Sequence, residues 1–199
     1  MAGRDDRVDE RAGRRTALSD ELRVLARRHP RESWASQANL GELARFWLQR
    51  HEMFRHLDAV IRDGTEDALR ERTEAAAFKT WLGRHLGWSL WQFEEHHQVE
   101  DHHYFPLFRR AEPRLAAGFE LLERDHDALH IAIGGMVERA NAVLASEARD
   151  RAAFCANLDR FREAQVDLGR ELIRHLDDEE DLVIPLLLER GEQVLIPGA

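Results

Sequence analysis

The sequence predicts an all-α protein, an up-down-up-down four-helix bundle with a short extra N-terminal helix. Apolar residues recur at a spacing close to 3.6 over four long segments, and the connections between these segments are short. No segment combines a period of two with flanking turn residues, the pattern typical of strands. At 199 residues, of which 43% are hydrophobic, the chain can form one well-buried core and is short for two.

The residues before the bundle have little to bury. Residues 1–15 are rich in arginine, aspartate and glycine, and we expect them to form a disordered or loosely attached arm. A short helix is predicted over residues 19–28, before His29 and Pro30. The chain is therefore expected to divide into an N-terminal arm, a bundle and a C-terminal tail, at residues 1–38, 39–191 and 192–199.

Capping and turn residues set the limits of the long helices. Asn39 and Glu42 have the spacing of a capping box, and Asp63-Gly64 interrupts the apolar pattern that follows, which predicts a first helix over residues 40–62. Thr65 is expected to cap the second helix, and Pro113 suits the first turn of the third. The limits expected for the second, third and fourth helices are 65 to 105, 113 to about 145, and 151 to about 191.

Composition argues against several classes of protein. A net charge of -9 is opposite in sign to a nucleic-acid-binding surface. No apolar run approaches the roughly 20 residues of a membrane-spanning helix. The single Cys155 cannot form an internal disulfide, and the N-terminus lacks the apolar stretch of a signal peptide. We therefore expect a soluble, cytoplasmic protein with neither nucleic acid nor membrane as its partner.

One segment concentrates side chains that bind metals. Residues 94–106, EEHHQVEDHHYFP, contain four histidines and four acids within thirteen residues. They form either a solvated, charged helix face or part of a metal site. His96 and Glu100 are four residues apart, so they lie on the same helix face and can reach one ion.

A repeat in the chain favours the metal site. His175 and Glu179 reproduce the His-x-x-x-Glu spacing in the fourth helix. An offset of 79 residues relates four pairs of positions: His51 and His130, His96 and His175, Glu100 and Glu179, and Pro106 and Pro185. A random polar face would not keep this register. The Glu-x-x-His pairs of ferritin-like sites are also present, but the repeat does not preserve them.

His126 adds a further candidate ligand, because it lies four residues before His130 on the same helix face. The candidate ligands are then five histidines and two glutamates, too many for one ion: His51, His96, Glu100, His126, His130, His175 and Glu179. Two ions bridged by both glutamates would have His126, His130 and His175 on one and His51 and His96 on the other. The second ion would keep an open position, and these ligands suit first-row metals such as iron.

Several other residues lie near the candidate ligands in sequence. His97 and His102 are expected to face solvent or to lie behind the ligands, whereas His103 returns to the metal face and is a possible pocket residue. Trp47, one turn before His51, is expected to form part of a dry, apolar pocket wall beside the open metal.

Four stretches of the chain resemble the hemerythrin-like, or HHE cation-binding, domains: HEMFRHLDAVI, HHQVEDHHYFP, RDHDALH and HLDDEEDLVIP, in the family's order over roughly residues 40–190. The resemblance implies a non-heme di-iron centre that binds O2 at a five-coordinate iron. The oxygen carriers of the family usually have His-x4-Asp on the last helix, whereas this chain has His175-x3-Glu179, as in many bacterial and iron-sensing relatives. Glu180 occupies the x4 position and competes with Glu179 for the bridging role.

The expected function is the binding of O2, NO or peroxide at two iron ions, for oxygen binding, storage or sensing. One alternative is an oxidoreductase that consumes peroxide or NO at the same site, and another is an iron reservoir without redox turnover. Manganese or a mixed-metal centre also fits the ligands. A sensor would require a protein partner, because the sequence contains no recognisable output domain.

Overall fold

The computed structural model describes residues 18–147 and 149–195, so the arm expected over residues 1–15 lies outside it. The all-α prediction is confirmed for the described residues, which contain helices and no strand. The α-helices are α1 (Arg31–Trp34), α2 (Glu42–Leu69), α3 (Ala75–Val99), α4 (Phe105–Ala111), α5 (Ala116–Ala145), α6 (Arg151–Arg190) and α7 (Glu192–Leu195). A π-helical segment, Glu100–Tyr104, joins α3 to α4, and 3-10 turns occupy Leu22–Val24 and Pro113–Leu115. Within these ranges, no helix has the length and apolar character that crossing a membrane requires.

Four long helices form the core. The longest, α6, packs against α2 and α5, and α3 contacts the same two helices. The predicted up-down-up-down course of these helices stays a prediction. Apolar clusters lie on both sides of a buried polar layer: Trp47 and Phe105 contact its histidines from one cluster, and Phe54 and Phe93 contact them from another.

The predicted end of the first long helix at residue 62 is wrong. Helix α2 continues through Gly64 to Leu69. A Cβ atom at Gly64 would lie 2.4 Å from the ring of Trp81, so glycine serves close helix packing here and does not end the helix. The connection to α3 instead contains Glu71, whose φ of 59° is left-handed and ends the helical path.

The predicted capping box at Asn39 is also wrong. The N-cap of α2 is Gly41, and Asn39 Nδ2 donates to the carbonyl of Leu188. The free N–H groups of Leu43 and Ala44 donate to the Glu192 carboxylate, at 3.1 and 2.8 Å. A residue about 150 positions away thus caps α2, at the helix end that favours negative charge.

Pro106 does not break the second long helix. The backbone widens into the π-helical segment immediately before it, where Phe105 N–H donates to the carbonyl of Glu100, five residues back. Proline has no N–H to donate to the carbonyl four residues earlier, and a local π turn accommodates this loss. The helical path then continues as α4, with Pro106 in its first turn.

The short helix predicted over residues 19–28 is only partly present. A 3-10 turn forms at Leu22–Val24, and the α-helical turn α1 comes later, after Pro30. Leu25 and Trp34 of this segment are buried against the main core. The described part of the segment is therefore packed onto the bundle.

Candidate metal centre

Two groups of potential ligands meet inside the bundle. One contains His51, His96, Glu100 and Glu179, and the other contains His97, His126 and His175. Within each group the ligand atoms lie within 4.8 Å of one another. Helices α2, α3, α5 and α6 all contribute, and the first residue of the π-helical segment supplies Glu100.

Each glutamate faces both groups. Glu179 Oε1 lies 3.3 Å from His51 Nε2, and its Oε2 lies 3.3 Å from His175 Nε2. Glu100 repeats the arrangement, with Oε1 3.1 Å from His96 Nε2 and Oε2 3.7 Å from His126 Nε2. One oxygen of each carboxylate therefore points toward each set of histidines, as two bridging carboxylates would require.

Most of these inward atoms have no hydrogen-bond partner in the protein. They are Nε2 of His51, His96, His126 and His175, both ring nitrogens of His97, both carboxylate oxygens of Glu100, and Glu179 Oε2. An unsatisfied buried polar atom costs about 1–3 kcal/mol, so such a concentration is unfavourable unless a cation binds there. The residues therefore fit the proposed cations.

His130 is not part of either group. Its side chain is 39% exposed, Nδ1 donates to the carbonyl of His126, and Nε2 lies 2.6 Å from Glu94 Oε2. The 79-residue repeat relates it to His51, which is fully buried. The two halves of the bundle therefore differ at this pair, because His51 lies inside the buried polar layer and His130 lies at its solvent-exposed edge.

His97 joins His126 and His175 in the group where the sequence predicted His130. The alternative that His97 faces solvent is wrong, because His97 is 1% exposed and its ring stacks on His126 at 3.7 Å between centroids. Consecutive residues on a helix point about 100° apart. Both directions are covered here: His96 contacts His51 of α2, and His97 contacts His126 of α5. The adjacent histidines in HHQVE were the sequence signal that could have identified His97 as a second buried histidine of α3.

Carboxylates accept hydrogen bonds from the outer nitrogens of two histidines and lie near the outer nitrogen of a third. His51 Nδ1 donates to Glu180 at 3.0 Å, and His126 Nδ1 donates to Asp101 at 2.8 Å. His175 Nδ1 lies 3.8 Å from Asp125. Such partners fix the tautomer that leaves Nε2 free to bind a metal, and they raise its basicity.

Glu180 therefore lies behind His51 and not between the two groups. Its carboxylate also accepts hydrogen bonds from Arg31 and Arg55, at 2.6 and 2.8 Å. Burial raises the pKa of Glu180, but the hydrogen bonds from His51 and Arg55 outweigh this effect and lower the pKa to about 2. Glu180 is thus an ionised partner of His51, whereas Glu179 faces both groups of potential ligands.

The pKa values of the two inward glutamates are shifted in opposite directions in the metal-free site. Burial raises the pKa of Glu100 well above its usual range, and Glu179 raises it further. Burial also acts to raise the pKa of Glu179, but His51 and His175 outweigh it and hold this pKa well below the ordinary value. Burial and the neighbouring Glu179 therefore favour the protonated form of Glu100 in the metal-free site, and binding of a cation would favour its carboxylate.

The histidines of the site also differ in their pKa values. Burial lowers the pKa of His96 and His97 well below the ordinary value, so both are neutral, as metal ligands must be. Burial also acts to lower the pKa of His51, but Glu179 and Glu180 outweigh it and raise this pKa to about 8. His51 must therefore lose a proton before it binds a cation at neutral pH.

A cavity of about 270 Å³ adjoins the His51/His96 side of the site. It is lined by Phe46, Trp47, Arg50, Glu95, His96, Val99, Glu100 and Tyr104. Trp47 forms part of the wall, as expected, and its Nε1 donates to Glu179 Oε1 at 2.5 Å. The cavity is not lined by apolar side chains alone, because Arg50 and Glu95 also line it.

The π-helical segment decides which side chain reaches this cavity. His103, a possible pocket residue from its helical spacing, is exposed, and the neighbouring Tyr104 lines the cavity beside Trp47. A π turn contains more residues than an α turn, so positions after Glu100 rotate away from their α-helical directions. The role of Tyr104 was therefore not visible in the 3.6-residue pattern.

Comparison with known families agrees with the resemblance seen in the sequence. Residues 43–187 match the family described as the hemerythrin HHE cation binding domain. No curated protein matches the chain significantly. No solved structure does so either.

Proposed function

Because the chain belongs to the hemerythrin HHE cation-binding domain family, we propose that it holds two metal ions bridged by Glu100 and Glu179. His51 and His96 are the terminal ligands of one ion, and the trio of His97, His126 and His175 completes the other. The observation that carries this proposal is the placement of each carboxylate, with one oxygen toward each set of histidines.

We propose iron as the metal, with manganese or a mixed centre as the rivals. Imidazole and carboxylate ligands suit first-row divalent ions, and the choice among these ions depends on geometry and supply. Bound iron would supply Lewis acidity and one-electron redox chemistry. The protein supplies neutral imidazoles, two carboxylates and a largely buried setting.

The open coordination position is proposed for the ion held by His51 and His96. This ion has two histidines where the other has three, and the cavity of about 270 Å³ reaches the same side of the site. A small ligand such as O2, NO or peroxide would enter past Trp47 and Tyr104. Reversible binding of such a ligand would serve oxygen binding, storage or sensing.

The cavity also favours a second candidate, an oxidoreductase that consumes peroxide or NO. Reversible O2 binding benefits from a dry, apolar pocket, whereas Arg50 and Glu95 give this cavity a polar portion. Polar groups near the open position can hold water and relay protons to a reacting ligand. Product formation separates this activity from reversible binding.

Metal analysis combined with optical spectroscopy tests the proposal. We expect two iron ions per chain and a charge-transfer band that appears with air or azide. A band that returns to baseline when O2 is removed supports the binding protein, whereas catalytic consumption of peroxide or NO supports the oxidoreductase. Two iron ions without either response would support the reservoir.

Two single variants provide matched tests of the ligand assignment. His51→Ala should lose the ion on the cavity side together with the azide band. His130→Ala should retain both, since the His130 side chain is outside both ligand groups. A wild-type protein that binds no more than one ion, or binds none, contradicts the two-metal proposal.

A further inference from the structure

We infer that Arg31, in the N-terminal helix α1, is a positioning residue that acts on His51 through the carboxylate of Glu180. This inference rests on the proposed function, because it concerns the ion that His51 would hold. It extends the metal centre to a segment before residue 43, where the match to the family begins.

Three hydrogen bonds attach Arg31 to α6. Its Nη1 donates to Glu180 Oε2 at 2.6 Å, its Nε donates to Asp181 Oδ1 at 2.7 Å, and its Nη2 donates to the backbone carbonyl of Asp177 at 2.5 Å. A guanidinium held by three acceptors has a fixed plane and position, which a flexible ammonium group would not have.

Glu180 transmits this constraint to the metal ligand. One of its oxygens accepts from Arg31, and the other accepts from His51 Nδ1 at 3.0 Å and from Arg55 at 2.8 Å. The Glu180 side chain is only 4% exposed, so water cannot readily replace a lost donor. Arg31 thus holds the carboxylate in the orientation that keeps the proton of His51 on Nδ1 and directs Nε2 toward Glu179.

The rest of the N-terminal segment secures Arg31. The guanidinium lies over the ring of Trp34, 5.0 Å from its centroid, and Trp34 Nε1 donates to the carbonyl of His29 at 2.7 Å. Trp34 is buried in the main core. The position of Arg31 is therefore set by packing as well as by charge.

The expected effect is selective. Outer hydrogen-bond partners of metal ligands typically change metal affinity by about 10–100-fold. Loss of Arg31 should lower the affinity for the ion held by His51 and His96 by this factor. The ion held by His97, His126 and His175 should be affected less, since neither Arg31 nor Glu180 contacts these histidines and the two ions share only the bridging glutamates.

Cobalt(II) titration of the full-length, metal-free protein tests the inference, because visible absorption reports the number and geometry of bound ions. Arg31→Gln should weaken one of two binding events by about 10–100-fold and alter its spectrum. Arg31→Lys, which keeps the charge but not the fork of donors, should restore part of the affinity. Arg28→Gln is the matched control. Arg28 also pairs with a carboxylate of α6, Glu189, at 2.8 Å, but it does not contact Glu180.

A double-mutant cycle separates a route through Glu180 from general loosening. Glu180→Gln alone should weaken the same binding event, and adding Arg31→Gln should have little further effect. Unchanged affinity in Arg31→Gln, equal weakening of both ions, or equal effects of Arg31→Gln and Arg28→Gln would overturn the inference. Failure of the wild type to bind two ions would instead overturn the proposed function.

Discussion

Replacement of His97 by leucine should stabilise the metal-free protein and destabilise the metal-loaded one. His97 is 1% exposed, and neither ring nitrogen has a hydrogen-bond partner in the protein. A neutral imidazole has one donor and one acceptor, and each costs about 1–3 kcal/mol when buried and unsatisfied. Leucine is apolar and removes both costs.

Two losses offset part of this gain. Leucine does not match the planar ring, which costs up to about 1.5 kcal/mol, and the stacking on His126 at 3.7 Å contributes about 0.5–1.5 kcal/mol. Midrange values, a gain of about 4 kcal/mol against losses of about 2 kcal/mol, give a net stabilisation of the metal-free protein of about 1–3 kcal/mol. For a chain of this size, about 2–4 °C per kcal/mol gives a rise in Tm of about 2–12 °C.

The metal-loaded protein should respond with the opposite sign. An ion present at 100 times its Kd contributes about 2.7 kcal/mol to stability, and His97→Leu removes one of its proposed ligands. Thermal melting with and without added metal, together with metal analysis, measures both effects. His130→Leu is the control, since its ion pair with Glu94 is exposed and contributes at most about 1 kcal/mol. Loss of an ion from His130→Leu but not from His97→Leu would refute the assignment.

Four further predictions follow from the site. Chelation of the metal should lower Tm and speed amide exchange in α3 and α6, and equal melting curves with and without metal would contradict this. Trp47→Phe removes the hydrogen bond that Trp47 donates to Glu179, and loss of such a partner should lower metal affinity by about 10–100-fold in a chelator competition. Unchanged affinity would show that this bond does not orient Glu179. Tyr104→Phe should keep both ions but change azide affinity, and an identical azide titration would place Tyr104 outside the ligand's path. In the metal-free protein, Glu179 and Glu180 raise the pKa of His51 to about 8 against the effect of burial, so its stabilisation is complete below pH 6.5 and is lost as pH rises through 8. Urea unfolding should detect a loss of about 2 kcal/mol from this group. His51→Gln should reduce the loss but not abolish it, because Asp125 and Glu179 also raise the pKa of His175 against the effect of burial.

The sequence alone determined the helical class and most of the candidate site. The His-x-x-x-Glu spacing and its repeat after 79 residues identified Glu100, Glu179 and their partners His96 and His175. The structure brings these residues close together, because residues four apart on a helix share a face wherever the helix lies in the fold. His51 was found in the same way, from its register in the repeat.

Sequence periodicity did not determine which helix faces are covered. It gives each side chain a direction relative to its own helix, but burial depends on where the neighbouring helices lie. His97 is buried because α5 covers its side of α3, and His130 remains at the edge of the polar layer with Glu94. The π-helical segment changed the register again and brought Tyr104 into the cavity wall in place of His103.

Long-range hydrogen bonds were decided only by the tertiary structure. Glu180 lies 129 residues from His51 in sequence, and Arg31 lies 149 residues from Glu180. Their contacts depend on how α1, α2 and α6 pack together, which local spacing does not specify. Local geometry therefore placed the ligands on their helices, whereas helix packing selected His97 and supplied the partners that orient His51.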